Sequence, residues 1–434
     1  MSNTIAIRKE NIEPTEQRSP LSPAQVGKLK SQDVHTLLEP WENRRYTANE
    51  YTENGALLST DLSKANVIFG VKEVPVNDLV PGKPHCFFSH TIKGQSYNMP
   101  LLQAVLDKKV TLMDYEKITD DDGRRLVFFG PYAGIVGAIN TLWLLGKRLA
   151  LEGLETPFSK IRQAKNYASL KDAEDALDNL AAEIRAKGLP DKGRPWVVAI
   201  TGGGTVSGGA QKIIDRLPLK EVSPRVFHRM QADHSFDPTA LYKVVIDCDN
   251  FVKPIDPSSV FEWNDYFAHP EKYQADFAGY LPDITVLING IYWEKRYPRL
   301  ITKNDIKRLY SSEQPNLRVI SDITCDVQGS IECNLHCTAS DNPVYVYLSE
   351  TDEAVDGIKG KGPVILAVDK LPSELPREAT TFFGEALMPY VADLARADFT
   401  RPFESLDIPA PMKRAVIAHQ GRLTPSFEYL RKFL

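Results

Sequence analysis

Along the first third of the chain, short apolar runs alternate with segments whose apolar residues recur at helical spacing. Ile5 to Arg8, Val34 to Leu38, Val67 to Val71, Cys86 to Ser89 and Val110 to Tyr115 read as strands of a buried sheet. Between them, Ser22-Pro23 offers an N-cap and a first-turn proline for a helix through Lys30. Thr47 to Glu53 and Gln95 to Asp107 are the next helices, and such a βα series predicts a mostly parallel sheet. An amphipathic helix, Ser169 to Lys187, and a loop from Leu189 to Pro195 lead into a second series. Its strands are Trp196 to Ile200, Val244 to Asp247, Ile284 to Asn289, Leu317 to Asp322, Val344 to Tyr347 and Val364 to Val368. The tail from Pro376 through about Arg396 is amphipathic and predicted to return to the first domain. Leu126 to Gly146 carries no charge and is long enough to span a bilayer. Gly130-Pro131 interrupts it and Asn140 and Thr141 are polar, so a buried strand, Leu126 to Phe129, and a buried helix from Tyr132 are predicted instead.

Composition narrows the class. A chain of 434 residues predicts two to three domains, and 42% hydrophobic with 25% charged residues is globular. The net charge of −5 without a basic stripe argues against nucleic acid, while an anionic small substrate stays open. Five scattered cysteines suit a reducing compartment, and the N-terminus reads without a signal sequence, so a cytoplasmic protein with no membrane association is expected. Cys325, Cys333, His336 and Cys337 form the one metal-like cluster, but the spacing from Cys325 to Cys333 is too wide for a zinc pair, so no metal is expected.

Chemistry gathers at strand ends. The run Thr201-Gly202-Gly203-Gly204-Thr205-Val206-Ser207-Gly208-Gly209 follows an apolar strand and precedes a helix predicted from Ala210 to Arg216. Glycines let backbone approach a pyrophosphate, and a helix N-terminus supplies free N–H groups. The pattern has Ser207 where a third glycine is usual; it reads as a dinucleotide site first, with an ordinary tight turn as the alternative. In the first domain, Glu16-Gln17-Arg18, Lys72-Glu73, His90 with Lys93, and Glu116 with Arg124-Arg125 lie near strand ends. A lysine and a histidine facing one space can act as acid and base, with acids tuning them; each alone also reads as an ordinary solvated side chain.

The strings IAIRKE, EQRSPLSP, FGVKEVP, FFSHTIKGQ, MDYEKITDDDGRRLVFFGPYAGIVGAIN, INGIYWE and LPREATTFFGEALMPY span almost the whole chain. In them the chain closely resembles the lysine–ketoglutarate reductase family, the saccharopine-forming half of bifunctional enzymes, itself related to fungal saccharopine dehydrogenase and to alanine dehydrogenase. The resemblance implies an α/β fold of two Rossmann-like domains, in an alanine-dehydrogenase-like arrangement with the cleft between them. The catalytic domain would comprise residues 1–135 and 369–434, and the dinucleotide-binding domain 136–368. The implied reaction is reversible condensation of L-lysine with 2-oxoglutarate and reduction by NADPH to saccharopine, in lysine degradation. Alternatives are an NAD-dependent enzyme running toward lysine, and a cofactor-binding sensor without turnover. The chain ends near where bifunctional members continue, so it reads as a stand-alone enzyme or one domain of a larger one, with coupling to a saccharopine-oxidising enzyme as a further expectation.

Carried over by position, Lys72 and His90 match the family's acid–base pair. Arg18 matches an arginine that binds a substrate carboxylate, Lys93 and Arg125 further basic contacts, Glu73 and Glu116 acids that adjust the pair, and Asp369 a residue at the return to the catalytic domain. Gly202 and Gly204 match the pyrophosphate turn, and Thr205, Val206 and Ser207 after them are carried over as further cofactor-binding residues. A ribose-reading residue is expected about 20 residues past the glycines, at the end of a strand Lys220 to Val222. Ser223 there lacks the charge that would repel a 2′-phosphate and Arg225 could pair with one, which favours NADP over NAD; Glu221 would face the ribose in another register.

Overall fold

The computed structural model describes residues 3–13, 15–312 and 315–434. The chain divides into two units, Met1–Phe129 with Pro376–Leu434, and Gly130–Leu375. The crossings lie at Phe129 and Pro376, not at 135 and 369, because the whole of a long helix, Gly130–Leu151, goes with the second unit. Asp369 consequently lies in the second unit.

In the first unit, β1 (Thr4–Ile7), β2 (His35–Leu38), β3 (Leu57–Leu58), β4 (Val67–Phe69), β5 (Pro84–Phe87) and β6 (Thr111–Asp114) form a parallel sheet in the order β6-β5-β4-β1-β2-β3. The returning chain adds Val416–His419 antiparallel to β6, and then Arg422–Leu423. Ile5, Ala6 and Ile7 are all fully buried, as a strand covered on both faces requires. The helix Pro23–Lys30 begins where Ser22-Pro23 predicts it, and the Ser22 N–H donates to Gln25 Oε1 at 2.7 Å. The tail helix, Pro376–Arg396, does return to this unit. It packs on Pro23–Lys30 so closely that a Cβ on Gly384 would collide with the Gln25 amide, which donates to the Thr381 carbonyl at 2.8 Å.

Two predicted elements differ. Leu126 to Phe129 is not a strand: the Leu126 N–H donates back to Ile118 at 2.9 Å, closing a loop, and Val127 is buried in the core of the unit. The helix then starts at Gly130 rather than Tyr132, since a proline in the first turn lacks only an N–H that has no helical acceptor. No helix among the described residues is long and apolar enough to cross a membrane.

The second unit holds β7 (Trp196–Thr201), β8 (Leu219–Val222) and β9 (Leu241–Ile246), then a small hairpin-like pair, β10 (Val252–Pro254) and β11 (Tyr273–Ala275). After these come β12 (Val286–Asn289), β13 (Val319–Asp322), β14 (Val344–Leu348), β15 (Glu353–Asp356) and β16 (Val364–Leu366). The main sheet runs β15-β14-β16-β13-β12-β7-β9-β8, parallel except where β14 pairs with its two neighbours. One consequence governs the site: β9, not β8, is the neighbour of β7 on that side.

Candidate functional site

The carboxyl ends of β6, β5, β4 and β1 stand side by side in the first sheet, and each delivers a polar group. β4 runs out through Gly70 and Val71 to Lys72 and Glu73, and β5 through Phe88 and Ser89 to His90. His90 Nδ1 and Glu73 Oε1 are 2.5 Å apart. The hydrogen bond to Glu73 and its charge raise the His90 pKa above its ordinary value, against the opposing effects of burial and of Lys72. Burial works to raise the Glu73 carboxyl, but the bond and charge of His90 outweigh it and hold the group below the usual range. His90 also takes a left-handed backbone, φ 51°. For a residue with a Cβ this costs about 1–2 kcal/mol, and the surroundings supply it. Buried Asp114 accepts the Ser89 N–H at 2.9 Å and the Ser89 hydroxyl, and Asn98 Nδ2 donates to the His90 carbonyl at 3.1 Å. The imidazole is thereby aimed, with Nε2 left as the nitrogen able to exchange a proton.

Lys72 is half-buried and, among the described residues, makes no ion pair. Its backbone N–H and that of Val71 donate to Glu10, at 2.9 and 2.7 Å. Its charge works to lower the pKa of Glu16, Glu73 and His90 alike. Glu10 is a residue the sequence reading passed over: it lies three positions past β1, is 2% exposed, and burial pushes its carboxyl up despite Arg8. An acid just beyond a largely apolar strand was the available signal.

Arg18 is not an open substrate clamp. It is 5% exposed, and its Nε and Nη2 grip Glu16 at 2.8 and 2.6 Å. The guanidinium lies over the Phe129 ring at 4.2 Å, and Phe129 stacks on Phe383 at 4.4 Å. Two of its donors go to Glu16, which leaves the Nη1 edge for any other acceptor. Glu116 pairs loosely with exposed Arg125 at 3.4 Å, and Lys93 is exposed. These three therefore rim the cluster rather than pack it.

The second unit supplies the glycine turn. Gly202 has φ 90°, and its N–H continues the β7–β9 ladder by donating to Ile246 at 3.0 Å. Gly204 precedes the helix Thr205–Ile214 without any side-chain cap, and among the described residues nothing lies within 4 Å of where its Cβ would be. That open space beside uncapped helical N–H groups fits a dinucleotide pyrophosphate. The helix begins at Thr205 instead of Ala210, so Val206 and Ser207 lie in its first turn. Ser207 is 1% exposed and fits without strain, because the close approach is made elsewhere. A Cβ on Gly134 would collide with the Val206 carbonyl, and one on Gly209 with the Pro131 carbonyl. Those two glycines let the long helix cross this one nearly backbone to backbone.

The structure does not bring Ser223 and Arg225 to the strand next to the turn. β8 ends at Val222 as predicted, but it is the edge strand; Ser223 caps the following helix by accepting the Val226 N–H, and Arg225 is exposed. Glu221 is held by Lys243 at 2.9 Å, beside Asp215, and is not free for a ribose. Asp369 is exposed, its N–H donating to Thr338 at 3.3 Å. Cys333 is buried in the core and His336 stacks on Tyr345 at 4.3 Å.

Two α/β units, one with an acid–base cluster at its strand ends and one with a glycine turn, define a dehydrogenase class. A family model described as the alanine dehydrogenase/PNT N-terminal domain matches residues 6–136, and its C-terminal counterpart matches residues 192–426. The chain belongs to the alanine dehydrogenase/PNT family. It is similar to the mitochondrial alpha-aminoadipic semialdehyde synthase of Bos taurus, 35% identical over 99% of this chain and 47% of that protein. The Arabidopsis thaliana alpha-aminoadipic semialdehyde synthase is 36% identical over 99% of this chain and 41% of its own length. The chain thus spans about half the length of these curated relatives. The saccharopine dehydrogenase (NAD+, L-lysine-forming) of Emericella nidulans is 25% identical, covering 94% of this chain and 96% of that one. Among solved structures, an L-alanine dehydrogenase matches with a TM-score of 0.62 at 16% identity over 99% of this chain and all of that one, a likeness of fold.

Proposed function

We propose that this chain catalyses the reversible condensation of L-lysine with 2-oxoglutarate and the reduction of the product to saccharopine, in lysine degradation. The observation that carries the reading is the pairing of His90 with Glu73 next to an unpaired Lys72, at adjacent strand ends. Relatives named for saccharopine and aminoadipic semialdehyde chemistry support it. When bound at the Gly202–Ser207 turn, a nicotinamide dinucleotide supplies the hydride. This chain's own residues manage the protons. The lysine ε-amine attacks the ketone, and the ketone oxygen must leave as water before an imine exists to be reduced. His90, whose hold on a proton the Glu73 carboxylate strengthens, donates to that oxygen through Nε2. Lys72, with no carboxylate fixing it, exchanges the protons of the attacking amine. Basic groups for the substrate carboxylates are the free Nη1 edge of Arg18, Lys93 and Arg125, a fork being the better match to a carboxylate.

The test is an incubation of purified chain with lysine, 2-oxoglutarate and NADH or NADPH. Loss of the reduced nicotinamide absorbance should depend on both substrates, and mass spectrometry should find saccharopine. Oxidation of neither dinucleotide, or oxidation without that product, would overturn the reading.

A further inference from the structure

The order of strands in the second sheet relocates the residue that selects the cofactor. β9 comes later in the chain than β8 yet lies between β8 and the glycine strand β7. Strands are spaced about 4.8 Å apart, so the end of β9 is one step from the glycine turn and the end of β8 is two, about 10 Å away. In a dinucleotide-binding sheet the adenosine ribose passes over the strand next to the turn, and an acid there reads its 2′-hydroxyl. β9 ends at Ile246, and the next residue is Asp247.

Asp247 is placed against the turn itself. Its Oδ1 accepts the Cys248 N–H at 2.8 Å and caps the short helix that follows. Its Oδ2 faces Gly203, where an added Cβ would collide with it. Among the described residues it has no ion-pair partner, whereas Glu221, on the edge strand, is held by Lys243. Resting on the reading of the glycine turn as a dinucleotide site, we propose that Asp247 accepts the adenosine 2′-hydroxyl and makes this chain prefer NAD(H) over NADP(H). A carboxylate is a strong acceptor for a ribose hydroxyl. A 2′-phosphate brought to the same place would bring about two negative charges against it, with no cation in the strand-end position to offset them.

Dissociation constants for NADH and NADPH, from quenching of protein fluorescence and from the shift in thermal midpoint on binding, test this without turnover. Wild-type protein should bind NADH about 30-fold or more tightly than NADPH. Asp247→Asn keeps the helix cap and a side-chain acceptor but removes the charge, and should bring the ratio to within about threefold. Asp247→Ser serves as a second capping variant, with the thermal midpoint of the free protein confirming its fold. Equal or tighter NADPH binding by the wild type overturns the inference. So does an unchanged ratio in both Asp247 variants, a ratio moved by Arg225→Ala instead, or binding of neither dinucleotide. Tight NADH binding without saccharopine formation would refute the proposed reaction and leave this inference standing. Saccharopine formation with an NADPH preference would do the reverse.

Discussion

Replacing Arg18 by alanine strands a buried charge. Glu16 is 1% exposed and, among the described residues, its carboxylate keeps three hydrogen bonds, all from Arg18: the backbone N–H at 3.0 Å, Nε at 2.8 Å and Nη2 at 2.6 Å. Burial alone would raise the Glu16 carboxyl, and the charge and bonds of Arg18 reverse this and hold it below the usual range. The alanine variant removes two of those bonds, the charge and the plane that covers Phe129. Breaking a buried pair by deleting one partner costs about 3–5 kcal/mol, which for a unit of this size lowers the thermal midpoint by about 10 °C. The pH dependence has a definite sign. In the wild type, the depressed Glu16 contributes stability above its unfolded pKa that is lost as pH falls through the folded value. In Arg18→Ala the unopposed burial raises the group, so protonation relieves the variant and its deficit shrinks on acidification. Glu16→Gln/Arg18→Met should lose less than Arg18→Ala alone, because no charge is left behind. Thermal and urea unfolding from neutral to acidic pH measure all of this. A deficit below about 1 kcal/mol, or one that widens as pH falls, would refute the argument.

Lys72→Met and His90→Gln should each lower turnover by about 10²–10⁴-fold while dinucleotide dissociation constants stay within a few-fold; near-normal turnover in both would remove them from the chemistry. Glu73→Gln withdraws the charge that raises His90, so the limb of the kcat/KM–pH profile that reports His90 should move to lower pH, and a stationary profile would dissociate His90 from the rate. Arg18→Lys keeps the charge but not the fork, and should raise a substrate KM by about tenfold if the Nη1 edge holds a carboxylate. Gly134→Ala, pressing a methyl on the Val206 carbonyl, should destabilise the second unit by about 1–3 kcal/mol and weaken dinucleotide binding, which calorimetry would read directly.

The apolar runs by themselves determined that β1, β4, β5, β6, β7, β12 and β13 would be buried strands, since a parallel strand covered on both faces leaves its mark within a few adjacent residues. Local chemistry also marked the Ser22-Pro23 helix start and the Gly202–Gly204 turn, where cap and glycine act on neighbours in the chain. The polar strand ends drew attention to Lys72, Glu73 and His90, and the structure draws Glu73 and His90 into one pair. What lay beyond local pattern was every question of adjacency. The Arg18 fork is filled by Glu16, Glu10 holds the turn before Lys72, and Asp114 pins the loop that carries His90. Above all, counting residues from the glycines led to Ser223, while Asp247 stands at the neighbouring strand end. Chain order says which strand comes next; hydrogen-bonded pairing across the sheet decides which strand lies next, and only the second brings a carboxylate to the turn.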